Sequence, residues 1–181
     1  MRTGCGSEPE LTRTCDAPTG VVGEGLRAIR QLRLKERLVH AIRGDIDTPT
    51  RSAIHDLVVE FTWKLDHAEP AGFAELFETD GRFVTGQAVT AGTAALQAFA
   101  DGRTAMARTS RSVLSNHRLV RLSTSSIEGT VLVTLYMHDG LEAGEPIAQS
   151  VAEYRDIYVR GADHVWRFRE RRSVPIFTRS V

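Results

Sequence analysis

The stretch FTWKLDHAEPAGFAELFETDGRFVTG, Phe61 to Gly86, places a carboxylate and an imidazole, Asp66 and His67, where an apolar-faced helix stops. At about 100° per residue, Asp66 falls on the flank of the apolar stripe, roughly 120° from Ile54. Val59 and Thr62 share that flank, and Trp63 lies opposite. A carboxylate near a helix C-terminus opposes the helix dipole. Such a local conflict marks a position that serves something other than folding. His67 points further round and reads as structural or solvent-exposed.

A second imidazole, His117, lies in SNHRLVRL, on a predicted strand face with Ser115 and Leu119. An imidazole titrating at about 6.5 suits proton transfer at neutral pH. A carboxylate accepting from one ring nitrogen would fix its tautomer and raise basicity at the other. Strand alternation in AEYRDIYVR puts Tyr154, Asp156 and Tyr158 on one face. In WRFRERRS it groups Trp166, Phe168, Glu170 and Arg172, and leaves Arg167, Arg169 and Arg171 on the other face. That arginine row reads as a solvated outer face or a subunit contact.

Other chemistries lack their signatures. The chain has no G-x-x-x-x-G-K-[ST] loop and no G-x-G-x-x-G after a strand, so no nucleotide cradle is visible. No G-x-S-x-G elbow or H-E-x-x-H pair occurs. No cofactor or metal is expected.

The elements that must position these residues can be read from periodicity. Residues 1–23 have none and read as a disordered tail. Residues 24–48 read as a basic amphipathic helix and its linker, with six Lys/Arg against two Glu between Glu24 and Arg43. Residues 49–181 form the main domain. Ile54, Leu57, Val58, Phe61 and Leu65 make one helical stripe. Pro70 is expected to start a second helix, PAGFAELFET, followed by an Asp80-Gly81 turn and the short strand RFVTG. TAGTAALQAFADGRTAMA reads as a third helix, with Leu96 and Phe99 in the core. Four β-rich segments follow, reversed at Ser125-Ser126, Asp139-Gly140 and Gly161-Ala162. Helices first and an antiparallel meander last predict an α+β domain.

Composition limits the partners. The 181 residues carry 23 basic and 23 acidic side chains, so no global field draws nucleic acid or an acidic membrane. No apolar run is long enough to span a bilayer. The first twenty residues lack the apolar core of a secretory signal. Cys5 and Cys15 are the only cysteines, which argues against a disulfide framework and fits a cytoplasmic setting.

RSAIHDLVVEFTWKLDHAEPAGFAELFETDGRFV, the middle NHRLVRL and the closing YRDIYVRGADHVWRFRERR together resemble the SnoaL-like branch of the nuclear transport factor 2-like superfamily. The resemblance covers about Thr50 to Thr178. It implies a cone: a curved antiparallel sheet closed by three N-terminal helices around an apolar pocket. The family contains dehydratases, cyclases, isomerases, epoxide hydrolases and dioxygenase small subunits, along with binding domains that have no activity. Asp66 and His117 match the aspartate and histidine of the dehydratase- and cyclase-like members, which implies a catalytic pair. Many relatives carry a tyrosine where this chain has Phe61 and Trp63, which implies that the phenol is either missing here or supplied by Tyr136 or Tyr154. Asn116, Phe83 and Trp166 complete the expected substrate-binding set.

The resulting expectation is a cofactor-independent dehydratase, cyclase or isomerase for a hydrophobic oxygenated small molecule, working as a homodimer or homotrimer without nucleic acid or membrane. The alternatives are a ligand-binding or assembly domain and a dioxygenase small subunit. Epoxide hydrolysis would need a second carboxylate and an arginine, for which Asp156 and Arg172 are the candidates.

Overall fold

Helix α1, Thr48–Asp66, begins at DTPT because the local chemistry caps it. The Asp47 carboxylate accepts from the Thr50 backbone N–H at 2.7 Å and from its hydroxyl at 3.1 Å. Proline in the first turn costs no helical hydrogen bond. The computed structural model describes residues 46–145 and 147–179, so the expected tail and basic helix lie outside the described residues. Ile46, read as linker, is buried in the core.

The apolar stripe of α1 is buried as its period requires. Ile54, Leu57, Val58 and Phe61 face inward, with Leu65 packed against their cluster. Phe61 is the hub. Its ring lies 5.2–6.1 Å from those of Phe73, Phe77, Phe83, Tyr154 and Phe168. Truncating such a residue to Ala costs about 3–5 kcal/mol.

The second expected helix is only a 3-10 turn, Phe73–Leu76. Gly72, at φ 72°, interrupts any right-handed helix begun at Pro70. Phe77 is drawn instead into strand β1, Phe77–Thr85, where it pairs with Phe168. Asp80-Gly81 is therefore not a reversal. It sits at an irregularity inside β1, where a Cβ on Gly81 would come within 2.9 Å of the Glu78 and Phe168 carbonyl oxygens. A short strand β2, Ala88–Ala91, follows, then the expected helix α2, Thr93–Thr104, which buries Leu96 and Ala100.

The four long strands are β3, Arg108–Arg121; β4, Ser126–Asp139; β5, Ala148–Arg160; and β6, Trp166–Thr178. They form a meander, and β1 joins it parallel to β6. The sheet order is β2-β1-β6-β5-β4-β3. The expected α+β class holds, with six strands and two α-helices among the described residues.

Two extra residues decide which side chains face inward. In β3, Ser115 pairs with Leu132 but Arg118 pairs with Thr130, so one residue is bulged, at Asn116, whose φ is 54°. In β6, Phe168 pairs with Tyr158 but Glu170 pairs with Ile157, so Arg169 is extra. A one-residue slip exchanges the two faces of everything beyond it. His117 thus shares the inner face with Leu119 but not with Ser115, which is exposed. Arg171, expected on a solvated outer row, is turned fully into the core.

Candidate active site

Asp66 ends α1 against the start of β3, which is an edge strand. Among the described residues, the backbone N–H groups on its free side have no sheet partner. The Ser112 N–H donates to the Asp66 carboxylate at 2.6 Å, and the Ser110 hydroxyl donates to its other oxygen at 2.7 Å. Between them, Arg111 donates from Nη1 to the Asp66 carbonyl at 2.7 Å. A guanidinium on a terminal carbonyl is favourable at a helix C-terminus. These three bonds from β3 hold the helix end and resolve the conflict with the dipole.

The carboxylate borders a hollow of about 540 Å³ enclosed by α1, α2 and the inner face of the sheet. Phe61, Leu65, Phe83, Phe99, Leu135 and Met137 supply its apolar walls. Its polar lining includes Asp66, Ser112, Tyr154, Arg103 and Arg108, with several further Ser and Thr hydroxyls. An ionised carboxylate has about four lone-pair positions. The two serines occupy two, so the rest can meet a ligand in the hollow.

Tyr154 is the phenol on this wall. Burial raises its pKa; the Arg171 guanidinium opposes that rise, and the carboxylates of Asp156 and Asp66 add to it. The phenol therefore keeps its proton at neutral pH and acts as a donor.

The expected union of Asp66 with His117 does not occur. The His117 ring lies 6.1 Å from that of His55, near the other end of α1. Eleven residues of helix separate His55 from Asp66, a span of about 16 Å. His117 is also absent from the walls of the hollow. The physical reason is register: α1 crosses β3 so that its C-terminal turn meets Ser110 and Ser112, not the bulge that carries His117.

His117 belongs to a separate polar row. Its Nε2 lies 3.4 Å from the Tyr158 hydroxyl, which donates to Asp156 at 2.6 Å. Arg171 grips the same Asp156 carboxylate through two bonds of 2.9 and 2.7 Å. The guanidinium also stacks 4.2–4.4 Å from the ring centres of Phe61, Tyr154 and Phe168. Burial works against the Arg171 charge, and the Asp156 carboxylate more than offsets it, so its pKa stays above the ordinary value. Burial lowers His117 to about 4; Asp156 opposes that shift, while His55, Arg171 and Arg51 add to it. The imidazole is neutral at physiological pH. The pairing proposed for epoxide hydrolysis is also revised, because Asp156 pairs with Arg171 rather than Arg172, and neither lines the hollow.

Among the other expected residues, Phe83 and Tyr154 line the hollow. Tyr136 does not: its neighbours Leu135 and Met137 face inward, so alternation sends it to the outer face. Asn116 is exposed at the β3 bulge. Trp166 is a core residue whose edge borders a different surface hollow, with Leu57 and Leu76. His67 stacks on Trp63 at 3.7 Å and caps the helix end, as its structural reading implied. Ser110, Ser112 and Arg103 went unnoticed in the sequence. The alternation in TSRSV, serine in and arginine out, is the one signal for the two serines, and nothing in the sequence marked Arg103. Among the described residues, no group of three or more His, Cys, Asp or Glu is arranged to hold a metal. No described helix is long and apolar enough to cross a membrane.

Comparison with known proteins agrees with this architecture. ActVI-ORFA from Streptomyces coelicolor superposes with a TM-score of 0.63 at 22% identity, covering 71% of this chain and 98% of its own. A Novosphingobium aromaticivorans protein provisionally assigned as a scytalone dehydratase gives 0.62 at 20%, covering 72% and 87%. A hexachlorocyclohexane dehydrochlorinase, LinA type 2, gives 0.61 at 18%, covering 74% and 89%. Likeness at these identities establishes a shared fold, described as cystatin-like in a further structure of similar score. No curated protein matches the chain. The family profile of the SnoaL-like domain matches residues 47–172, which include α1 with Asp66, the β3 wall and the buried Asp156–Arg171 pair. The chain therefore belongs to the SnoaL-like domain family.

Proposed function

We propose that the chain is a cofactor-independent acid–base enzyme, a dehydratase, cyclase or isomerase, for a hydrophobic oxygenated small molecule. The observation that carries this reading is the Asp66 carboxylate, fixed by Ser110 and Ser112 on the wall of a largely apolar hollow with lone pairs to spare. Family membership, and a fold shared with proteins named as a dehydratase and a dehydrochlorinase, support it.

In this reading Asp66, not His117, moves the proton. A remaining lone pair on its carboxylate takes a proton from the carbon next to a substrate carbonyl. The electron pair left behind passes to the carbonyl oxygen as an enolate, which the Tyr154 phenol hydrogen-bonds. Collapse of the enolate expels a β-hydroxyl, attacks a second carbonyl, or takes the proton back at another carbon. Asp66 then returns its proton to the departing hydroxide, the new alkoxide or that carbon. A positioned acid–base group of this kind contributes about 10²–10⁴-fold. The apolar walls strengthen it by excluding water.

The reaction can be tested without the natural substrate. Exchange of the α-protons of 2-tetralone in deuterated buffer, followed by proton NMR, reports enolate formation directly. The protein is expected to accelerate exchange, and Asp66→Asn to abolish the acceleration. Exchange at the buffer rate with the unaltered protein would overturn the reading.

A second reading is a ligand-binding domain without activity. It is favoured by one observation: among the described residues no imidazole hydrogen-bonds to Asp66 or lines the hollow. It predicts that ligands bind in the hollow with no exchange. A homodimer or homotrimer belongs to either proposal. Exposed Val113 and Ile176 on the strands support it, and light scattering tests it.

A further inference from the structure

The hollow holds a cation, Arg103, that forms no ion pair among the described residues. Arg103 lies in the last turn of α2 and lines the hollow. Its one recorded polar contact is from Nη1 to the Met106 sulfur at 3.7 Å, a weak acceptor. Among the described residues it forms no ion pair, whereas Arg108, on the same hollow, is matched by Asp139 at 2.8 Å. Arg103 is half-buried, so its charge is only partly hydrated. A guanidinium presents a planar fork of donors that fits a carboxylate with two parallel bonds.

Arg103 and Asp66 enter the hollow from different helices, and the Tyr154 phenol feels both charges. A carboxylate, a phenol and a guanidinium therefore line one hollow. Two features limit that molecule to a single negative charge. Arg103 stands at the C-terminal end of α2, where the helix dipole is negative, and Asp66 repels a second anion. Among the described residues, a phosphate dianion finds neither a helix N-terminus nor a second unpaired cation on this hollow. The volume of about 540 Å³ and the aromatic walls suit a flat bicyclic or tricyclic skeleton.

We propose that Arg103 anchors a ligand carboxylate, so that the hollow takes an apolar ring system carrying one carboxylate group. The anchor fixes that skeleton against the Asp66 wall. The turnover of such a ligand rests on the acid–base reading above, but its binding does not.

Isothermal titration calorimetry of the full chain with 2-naphthoate and with its methyl ester separates the two claims. The carboxylate should bind about tenfold or more tightly than the ester, as expected for a charge-assisted pair. Arg103→Gln should erase that preference while leaving ester affinity within about twofold, and Arg103→Lys should retain part of it. Asp66→Asn should tighten 2-naphthoate by removing a like charge, whether or not the protein exchanges protons on 2-tetralone. Equal affinity for the two probes, no binding of either, or a preference that survives Arg103→Gln would overturn the proposal. Loss of proton exchange alone would leave the anchor standing and count only against the acid–base reading.

Discussion

Asp66 and Asp156 are the same residue in two environments. Asp66 sits at a helix end against an edge strand, receives two neutral donors and faces a hollow. Asp156 sits in mid-sheet, opposite Arg171 on the neighbouring strand, and takes two bonds from it and a third from Tyr158. The first carboxylate has spare capacity for a ligand. The second is buried, its partner Arg171 is stacked on three aromatic rings, and it does not line the hollow. Exposure to a hollow, and not proximity to a histidine, separates the carboxylate that can meet a ligand from the one that ties two strands together.

The strongest way to break this contrast is to cut the buried pair. Arg171→Met alone strands the Asp156 charge in the core and should cost about 3–5 kcal/mol in urea denaturation. Adding Asp156→Leu to it should recover most of that loss, because two apolar side chains replace two charges. A cost below about 1 kcal/mol for the single variant would place Asp156 within reach of water, beyond what its burial allows.

The next effect lies beside it. A Cβ on Gly129 would stand 2.6 Å from the Tyr158 ring and 3.0 Å from Leu119. Gly129→Ala should therefore displace Tyr158 from Asp156 and cost about 1–3 kcal/mol by the same denaturation measurement. Asp66 is remote from that contact, so 2-tetralone exchange should survive in the folded fraction.

The smallest effect is a pH dependence. Burial holds His117 at about 4 in the folded protein, below its ordinary 6.5. The unfolded chain thus binds a proton first as pH falls. The contribution is fully present above the ordinary value and fades as pH drops from there toward about 4. His117→Gln should flatten the stability profile across that window, read as the urea midpoint at neutral pH and at about pH 5.

Much of this was legible in the sequence. The stripe Ile54, Leu57, Val58, Phe61 repeats at helical spacing, and each of these residues is buried. The flank position of Asp66 followed from arithmetic on the same helix, and it places the carboxylate on the hollow. Tyr154 and Phe83 were also placed on the hollow. What could not be read was register. Nothing in SNHRLVRL announces that Asn116 adopts φ 54° and adds a residue to β3, and nothing in WRFRERR marks Arg169 as extra. Each bulge exchanged the faces beyond it and moved His117 and Arg171 to positions that strict alternation denied them. The crossing of α1 over β3 is a tertiary fact, and it decided that Asp66 meets serines rather than the imidazole. Gly72 shortened the second helix through a backbone angle that its neighbours did not betray.

The central claim is that Asp66 works without His117. The most direct test sets Asp66→Asn and His117→Gln side by side in the deuterium exchange of 2-tetralone. Asp66→Asn is predicted to lose about 10²-fold or more, and His117→Gln to stay within about threefold of the unaltered protein. Equal and large losses in both variants would contradict the account and restore the two residues to a single site.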